Sequence, residues 1–440
     1  MIQVVLLVLF GLTCVWMIAD GLERRAGVLE FSFLAGCGLF GFLFTQAVGV
    51  VRNPGMAPES GVCKALVMST LCAWAVYLGW KAPARARAAP GSKSSLSLNW
   101  LYVCGIICIG LGLYGSMKLT ILTGGVPGLN MVEGRRPLEW QGLPVVYGFF
   151  ATYGELGMVL VALAALRRRS WFMAIPAAIP VLLLLGAIIL SGRRTFLVLL
   201  ALTLGCVLYF ARKIAMPRPV ALGVLPLVMV AMFVAGEYRR STLSGEWGNV
   251  KRISASKAVH EVLSGSAPEF VNMAYMMEIA DTQGLFQGGV GFYNSFVQYF
   301  VPKLIVGEET KANLYVDVPT ARDAQNRFGW VYTYGLVPTG PYSVFEQFWY
   351  FGALCYFFLA KWLRGHWIRA VAGDRWSQLV YSVVVTFGIT AIVNDIFSIY
   401  MPLFMFVLPL AALGELRRWL RQLGQPYSHA APSRSWAGPS

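Results

Sequence analysis

Charge is scarce in this chain. Asp, Glu, Lys and Arg make up 13% of its 440 residues, about half the share of an ordinary soluble domain, where it is roughly a quarter. Such a shortfall excludes a conventional water-soluble globule. Histidine is rarer still: there are three, and none falls in an expected span, which argues against a membrane O-acyltransferase. No CxxC pair or Cys/His cluster occurs, so no metal is expected and a zinc site has no ligand set. The eight cysteines (Cys14, Cys37, Cys63, Cys72, Cys104, Cys108, Cys206 and Cys355) all fall within apolar runs. They read as small packing residues, and none sits in the long polar segment, where an oxidising compartment would favour disulfides. Repeats of roughly 20–50 residues are absent, and the two halves carry no matching interrupted helices. Both absences weaken a transporter built on inverted repeats. Met1 leads straight into an apolar run without a basic n-region or small-residue cleavage site, so no cleavable signal peptide is expected.

What the chain has is apolar length. It is 57% hydrophobic with a mean hydropathy of +0.62, and runs of roughly 20 apolar residues match the bilayer's hydrocarbon thickness. Eleven spans are expected, at about 2–19, 28–51, 62–80, 99–115, 141–166, 171–190, 195–211, 220–236, 342–360, 376–394 and 396–415. The expected fold class is an all-α polytopic integral membrane protein with about 11 transmembrane helices and one large extracytoplasmic loop. Residues 1–236 carry helices 1–8, residues 237–341 form the loop with an amphipathic helix, and residues 342–415 carry helices 9–11. Residues 416–440 form a cytoplasmic tail, rich in Pro, Ser and Gly and expected to be disordered. Lys81–Ser97 reads as a flexible basic cytoplasmic loop.

Orientation follows from the short loops. The odd-numbered loops before the eighth, the ninth loop and the C-terminal tail together hold 20 Lys/Arg, against 7 for the opposite side. The basic side is cytoplasmic. The N-terminus therefore lies outside, the C-terminus inside, and the long loop outside. The net charge of +15 is mostly topological, and no nucleic-acid partner is expected.

The segment from Glu237 to Pro341 is the one long polar stretch, holding 9 of 36 Lys/Arg and 10 of 21 Asp/Glu. Spanning helices must satisfy their own backbone, so most of the chain is scaffold and aqueous chemistry belongs in this loop. Within it, Gly284–Val306 places Phe292, Phe296, Tyr299 and Phe300 on one helical face. That pattern fits either an amphipathic helix at the outer interface or a core helix of a small external subdomain.

Arginine pairs are the main candidates for chemistry. Arg193 and Arg194 occupy a four-residue turn between two spans, on the side where positive charge is disfavoured. Their guanidinium forks suit pyrophosphate oxygens; the plain alternative is snorkelling to lipid headgroups. Arg239 and Arg240 follow the eighth span, and Lys251, Arg252, Lys257, Lys303, Lys311, Arg322 and Arg327 add cationic charge later in the loop. Trp247, Trp330, Tyr332 and Tyr334 supply aromatic faces suited to sugars. Candidate general bases are Glu237, Asp317, Asp323 and Glu346. Glu346 falls about one turn inside the ninth span, and Glu155 midway in the fifth; an ionisable residue there is either functional or paired. Of the histidines, only His260 is external, while His366 and His429 are cytoplasmic.

The order SGRRT opening a span, YRR after the next, FQGGVGFYNSFVQYFVPK followed by Lys311, then PTGPYSVFEQFWYFG resembles the Wzy-type oligosaccharide repeat-unit (O-antigen or exopolysaccharide) polymerases. The likeness covers roughly residues 190–353. It implies a bacterial inner-membrane enzyme related to the C-type glycosyltransferases, metal-independent and without a cofactor. Such an enzyme moves a growing glycan from undecaprenyl diphosphate to the non-reducing end of a new lipid-linked repeat unit. Arg193 or Arg194 would hold pyrophosphate, Arg239 or Arg240 would complete the clamp, and the Gly291–Lys303 segment with Tyr293 would shape the groove. Glu346, Arg193 and Arg239 become the catalytic candidates, with the base unassigned. Lys303, Lys311, Arg322 and Arg327 join Arg194 and Arg240 as substrate-binding candidates. Partners implied are the lipid-linked oligosaccharide, membrane lipid, a chain-length regulator and a flippase. The related O-antigen ligases carry His-Asn near a position where this chain has Gly340-Pro341. A ligase-like glycan transferase and a transporter or flippase of lipid-linked sugars are the competing readings.

Overall fold

The computed structural model describes residues 1–24, 26–83, 96–123, 143–191, 194–221, 223, 227, 230, 234, 238, 253–264, 268–321 and 339–412. Among these, the regular structure is helical throughout. In chain order the helices are α1 (Ile2–Leu22), α2 (Phe31–Arg52), α3 (Glu59–Lys81), α4 (Leu98–Thr123), α5 (Leu143–Arg168), α6 (Ile175–Ser191) and α7 (Arg194–Arg212). Then come α8 (Ala255–Leu263), α9 (Pro268–Gln283), α10 (Val290–Phe300), α11 (Gly340–Phe348), α12 (Ala353–Val371), α13 (Arg375–Val393) and α14 (Ile396–Ala412).

Seven helices among the described residues are long and apolar enough to cross a membrane, and Phe196–Arg212 and Ile396–Ala412 are shorter apolar helices. The chain is a multi-pass membrane protein. Of the other expected spans, 220–236 falls largely outside the described residues. The expected span 342–360 is corrected: the helix breaks after Phe348, passes through a 3-10 turn at Trp349–Gly352, and restarts as α12. Trp349 takes φ 53° and ψ −144°, a conformation that costs a residue with a Cβ free energy and holds only where packing enforces it. Glu346 therefore belongs to a short helix ahead of the break. His366, expected in a cytoplasmic loop, is instead buried in α12 with its ring 4.7 Å from that of Trp362.

Burial separates the centre of the bundle from its rim. In α13, 78% of the apolar window is buried, against 28% in α1 and 17% in Phe172–Ile189. The outer helices thus turn most of their apolar surface outward, as a lipid-facing helix does, while α13 is the central post. Tyr381 on α13 is fully buried and donates its hydroxyl to the Leu29 carbonyl at 2.7 Å. Where α1 ends, α2 begins and α3 ends, an ionic knot forms. Lys81 pairs with Asp20 at 2.7 Å, Arg24 with Glu30 at 3.0 Å, and Trp80 Nε1 donates to Glu30 at 2.9 Å. These three ends lie on one side of the bundle, as alternating spans require.

Close helix contacts rest on small residues. A Cβ on Gly112 of α4 would lie 2.5 Å from the Gly154 nitrogen of α5, and one on Gly157 would lie 2.7 Å from the Gly105 carbonyl oxygen. Where lipid tails are as apolar as side chains, such backbone-to-backbone contact supplies the packing that holds two helices together.

The large loop is not wholly external to this bundle. Its helix α9 buries Phe270, Met273, Ala274, Met276, Met277, Ile279 and Ala280 against α3 and α11. Gln46 Oε1 accepts the Phe270 N–H at 3.0 Å, satisfying one of the donors left open at the start of a helix. Lys64 pairs with Glu278 at 2.9 Å and Asp281 at 2.6 Å, fixing the other end.

Candidate functional site

The segment that carries QGGVGFY is locked to α11 by one amide. Gln347 is 1% exposed. Its Oε1 accepts the Gly291 N–H at 2.9 Å, and its Nε2 donates to Gln287 Oε1 at 2.8 Å. The Gln287 N–H in turn donates to the Glu346 carbonyl at 2.9 Å. The glycines make this possible: Gly288 and Gly289 take φ of 57° and 94°, which favours residues without a Cβ. A Cβ on Gly291 would lie 2.3 Å from Gln347 Nε2. Two segments nearly sixty residues apart are thus joined by three hydrogen bonds.

From that turn α10 runs with its aromatic face against the start of α14. Phe292 stacks on Phe348 at 5.9 Å and meets Phe397 edge-on at 4.9 Å; Phe296 and Phe300 meet Phe404 at 5.2 and 4.7 Å. Three of the four residues expected on one face point inward; Tyr299 is 42% exposed. The inward rings pack on Phe348 of α11 and on Phe397 and Phe404 of α14. Tyr293, at 43% exposed, stands on the outward side.

Past α10 the chain folds back over it. Asn294 donates Nδ2 to the Val316 carbonyl at 2.8 Å and accepts the Val316 N–H at 3.0 Å, a two-point latch. Lys311 Nζ donates to the Gln298 carbonyl at 3.0 Å, and Lys303 pairs with Glu308. Burial, and then the neighbouring Lys303 charge, hold the Lys311 pKa below its ordinary value.

Glu346 is half-buried, and its Oε1 accepts the Tyr342 hydroxyl at 2.7 Å. Asp317 is exposed at the surface, as is His260 on α8. Gly340 starts α11 where no side chain fits: a Cβ would lie 2.2 Å from the Ala391 carbonyl and 2.3 Å from the Tyr356 hydroxyl. A histidine at Gly340 is therefore excluded sterically.

Arg193, Arg239, Arg240, Arg322, Arg327, Glu237, Asp323, Trp247, Trp330, Tyr332 and Tyr334 lie outside the described residues, and Arg194 is described only as the first residue of α7. Their neighbours on the chain are described. Tyr238, directly before Arg239, donates its hydroxyl to the Ile189 carbonyl at 2.6 Å. Ile189 stands four residues before Arg193.

Gln347, Gln287, Tyr342 and Asn294 were not singled out from the sequence. Buried amides carry no charge to draw notice, and their roles depend on partners distant in the chain. The signal available was the repeated pairing of Gln with glycine-rich turns. No protein-family model, curated protein or solved structure matches this chain.

Proposed function

We propose that the chain is a Wzy-type polymerase of undecaprenyl-diphosphate-linked oligosaccharide repeat units, working at the outer face of a bacterial inner membrane. The observation that carries this reading is the Tyr238 to Ile189 hydrogen bond, which draws together the segments bearing the two arginine pairs. The Gln347 joint supports it further, because it unites two of the motifs on which the resemblance rests.

In the reaction, a hydroxyl oxygen of the acceptor's non-reducing sugar attacks the anomeric carbon of the donor glycan. The bond from that carbon to the diphosphate oxygen breaks, and the diphosphate leaves with the electron pair. Arg193 with Arg239, aided by Arg194 and Arg240, stabilises the charge that develops on the leaving group. Lipid diphosphate is already activated, so alignment and charge stabilisation dominate the task. Removing one such donor typically costs about 2.7–4 kcal/mol of barrier, or roughly 100- to 1,000-fold in rate. Glu346, whose Oε1 accepts the Tyr342 hydroxyl, is the acidic candidate of this reading; the acceptor's proton passes to a base not assigned to one residue.

The test is complementation of a null strain. Cells without the protein are expected to accumulate single repeats on lipid. Arg193→Ala and Arg239→Ala each leave that phenotype in place, whereas Arg417→Ala restores long polysaccharide. Normal chain length with both outer-side variants contradicts the polymerase, and unflipped intermediates on the cytoplasmic side would assign the chain as a flippase.

A further inference from the structure

Glu155 stands midway along α5 and takes part in none of the contacts of the candidate site. It lines a cavity just large enough for one water molecule, whose walls come from four helices. α5 contributes Leu156 and Val159, α7 Leu199 and Thr203, α13 Val383, Thr386 and Phe387, and α14 Phe406. Among the described residues Glu155 makes no ion pair or hydrogen bond, and neither does the hydroxyl of Thr203, which is 3% exposed. Thr386, 2% exposed, donates to the Val383 carbonyl at 2.7 Å, leaving its oxygen lone pairs available as acceptors.

Among the described residues that line the cavity, none is basic. α7 and α13 bring only apolar side chains and the two threonines to the cavity, and α14 brings Phe406. α6, which also packs on α5, has no titratable residue in its sequence. α4, which packs on α5, carries Tyr102, Cys104, Cys108, Tyr114 and Lys118, none of which lines the cavity, and on α5 itself the Tyr153 ring turns to Phe406. Cys206, one turn beyond Thr203, is buried and does not line the cavity. Glu155 is half-buried; a carboxylate facing this cavity, whose lining brings no cation, is costly, whereas a carboxylic acid sharing the cavity with two hydroxyls is not.

We propose that Glu155, Thr203 and Thr386 form a proton-binding site inside the helix bundle, with its ligand a single proton on the Glu155 carboxyl. The site has both forms provided for. When protonated, Glu155 donates to Thr386 or to a water in the cavity. When ionised, it accepts from Thr203. The four helices that wall the site include the central post α13, so proton loading is felt where the bundle is held together. This inference does not rest on the polymerase reading.

The test is labelling of the detergent-purified full chain with dicyclohexylcarbodiimide across about pH 5 to 9, with adducts mapped by mass spectrometry. The reagent adds to a protonated carboxyl: the carboxyl oxygen bonds the carbodiimide carbon and the proton passes to nitrogen. An adduct at Glu155 is expected, its yield falling about tenfold per pH unit above a midpoint. Thr203→Val removes the donor to the ionised form and raises that midpoint by about half a unit or more. Replacing choline chloride with sodium chloride leaves the yield unchanged. Absence of a Glu155 adduct at every pH, or a midpoint unmoved in Thr203→Val, overturns the proposal. Protection by sodium also overturns it, in favour of a metal-cation site. Glu155→Gln, which mimics the protonated acid, is expected to elute as a monodisperse species and to lose the adduct.

Discussion

Gln347 shows how much a single uncharged side chain can decide. It supplies an acceptor to the Gly291 N–H and a donor to Gln287 while itself only 1% exposed. Gln347→Leu leaves two half-buried polar groups without these partners, each lost hydrogen bond costing about 0.5–1.5 kcal/mol. The expected outcome is shortened or absent polysaccharide, with protein still present in the membrane. Gln347→Glu keeps the acceptor and is expected to retain more activity; equal loss in both variants counts against the hydrogen-bonded joint. Lys311 allows a test by pH. Its pKa is lowered, first by burial and then by Lys303, so it loses its proton at a lower pH than a free lysine. An anion held by this charge is released earlier on the alkaline side. Lys311→Arg stays charged throughout and is expected to move the alkaline limb of the activity profile upward, and an unshifted limb counts against an anion-holding role. As a stability effect the sign is the same: the folded state disfavours the charged lysine. The cost is fully present below the lowered pKa and is relieved as pH rises toward the ordinary value.

Among the helices, the α4–α5 pair and the broken α11–α12 unit carry the tests. Gly112 faces the Gly154 backbone, whereas a Cβ on Gly110 meets nothing within 4 Å. Gly112→Leu is expected to lower the thermal midpoint of the purified protein by an overpacking cost of about 1–3 kcal/mol. Gly110→Leu is not, and equal effects would contradict the backbone contact. The same elements mark what the sequence made legible. Long apolar runs announced α1 to α6, because nothing but a helix satisfies its own backbone in lipid. The aromatic face of α10 was legible from spacing, although its partner, Phe404 on α14, was not. α9 was hidden in the polar loop, since Glu269, Glu278 and Asp281 dilute its hydropathy. Its burial depends on Gln46 and Lys64, more than two hundred residues away. The break at Trp349 was also hidden: FEQFWYFG continues the apolar pattern across it, and only the close approach of Gly352 to the Val344 carbonyl shows where the chain turns. Glu346 was found as a candidate, but assigned to a continuous span that does not exist.

At the scale of the whole molecule, the account turns on where two arginine-bearing segments lie relative to each other and to the membrane. The ionic knot of Asp20, Arg24, Glu30 and Lys81 gathers three helix ends on one side, the side that charge counting expects in the cytoplasm. On that proposed orientation Arg193 and Arg239 belong to the opposite side, and the Tyr238 hydroxyl ties the residue before Arg239 to Ile189, four residues before Arg193. All eight native cysteines are buried or half-buried in helices, so cysteines introduced in the turns can be followed against them. The most direct test is a chain carrying Arg193→Cys and Arg239→Cys, labelled in intact cells with a membrane-impermeant maleimide and separately oxidised for peptide mapping. The account predicts labelling of both positions without permeabilisation and a disulfide-linked pair of peptides. Labelling only after permeabilisation, or two reactive thiols that never cross-link, would contradict it.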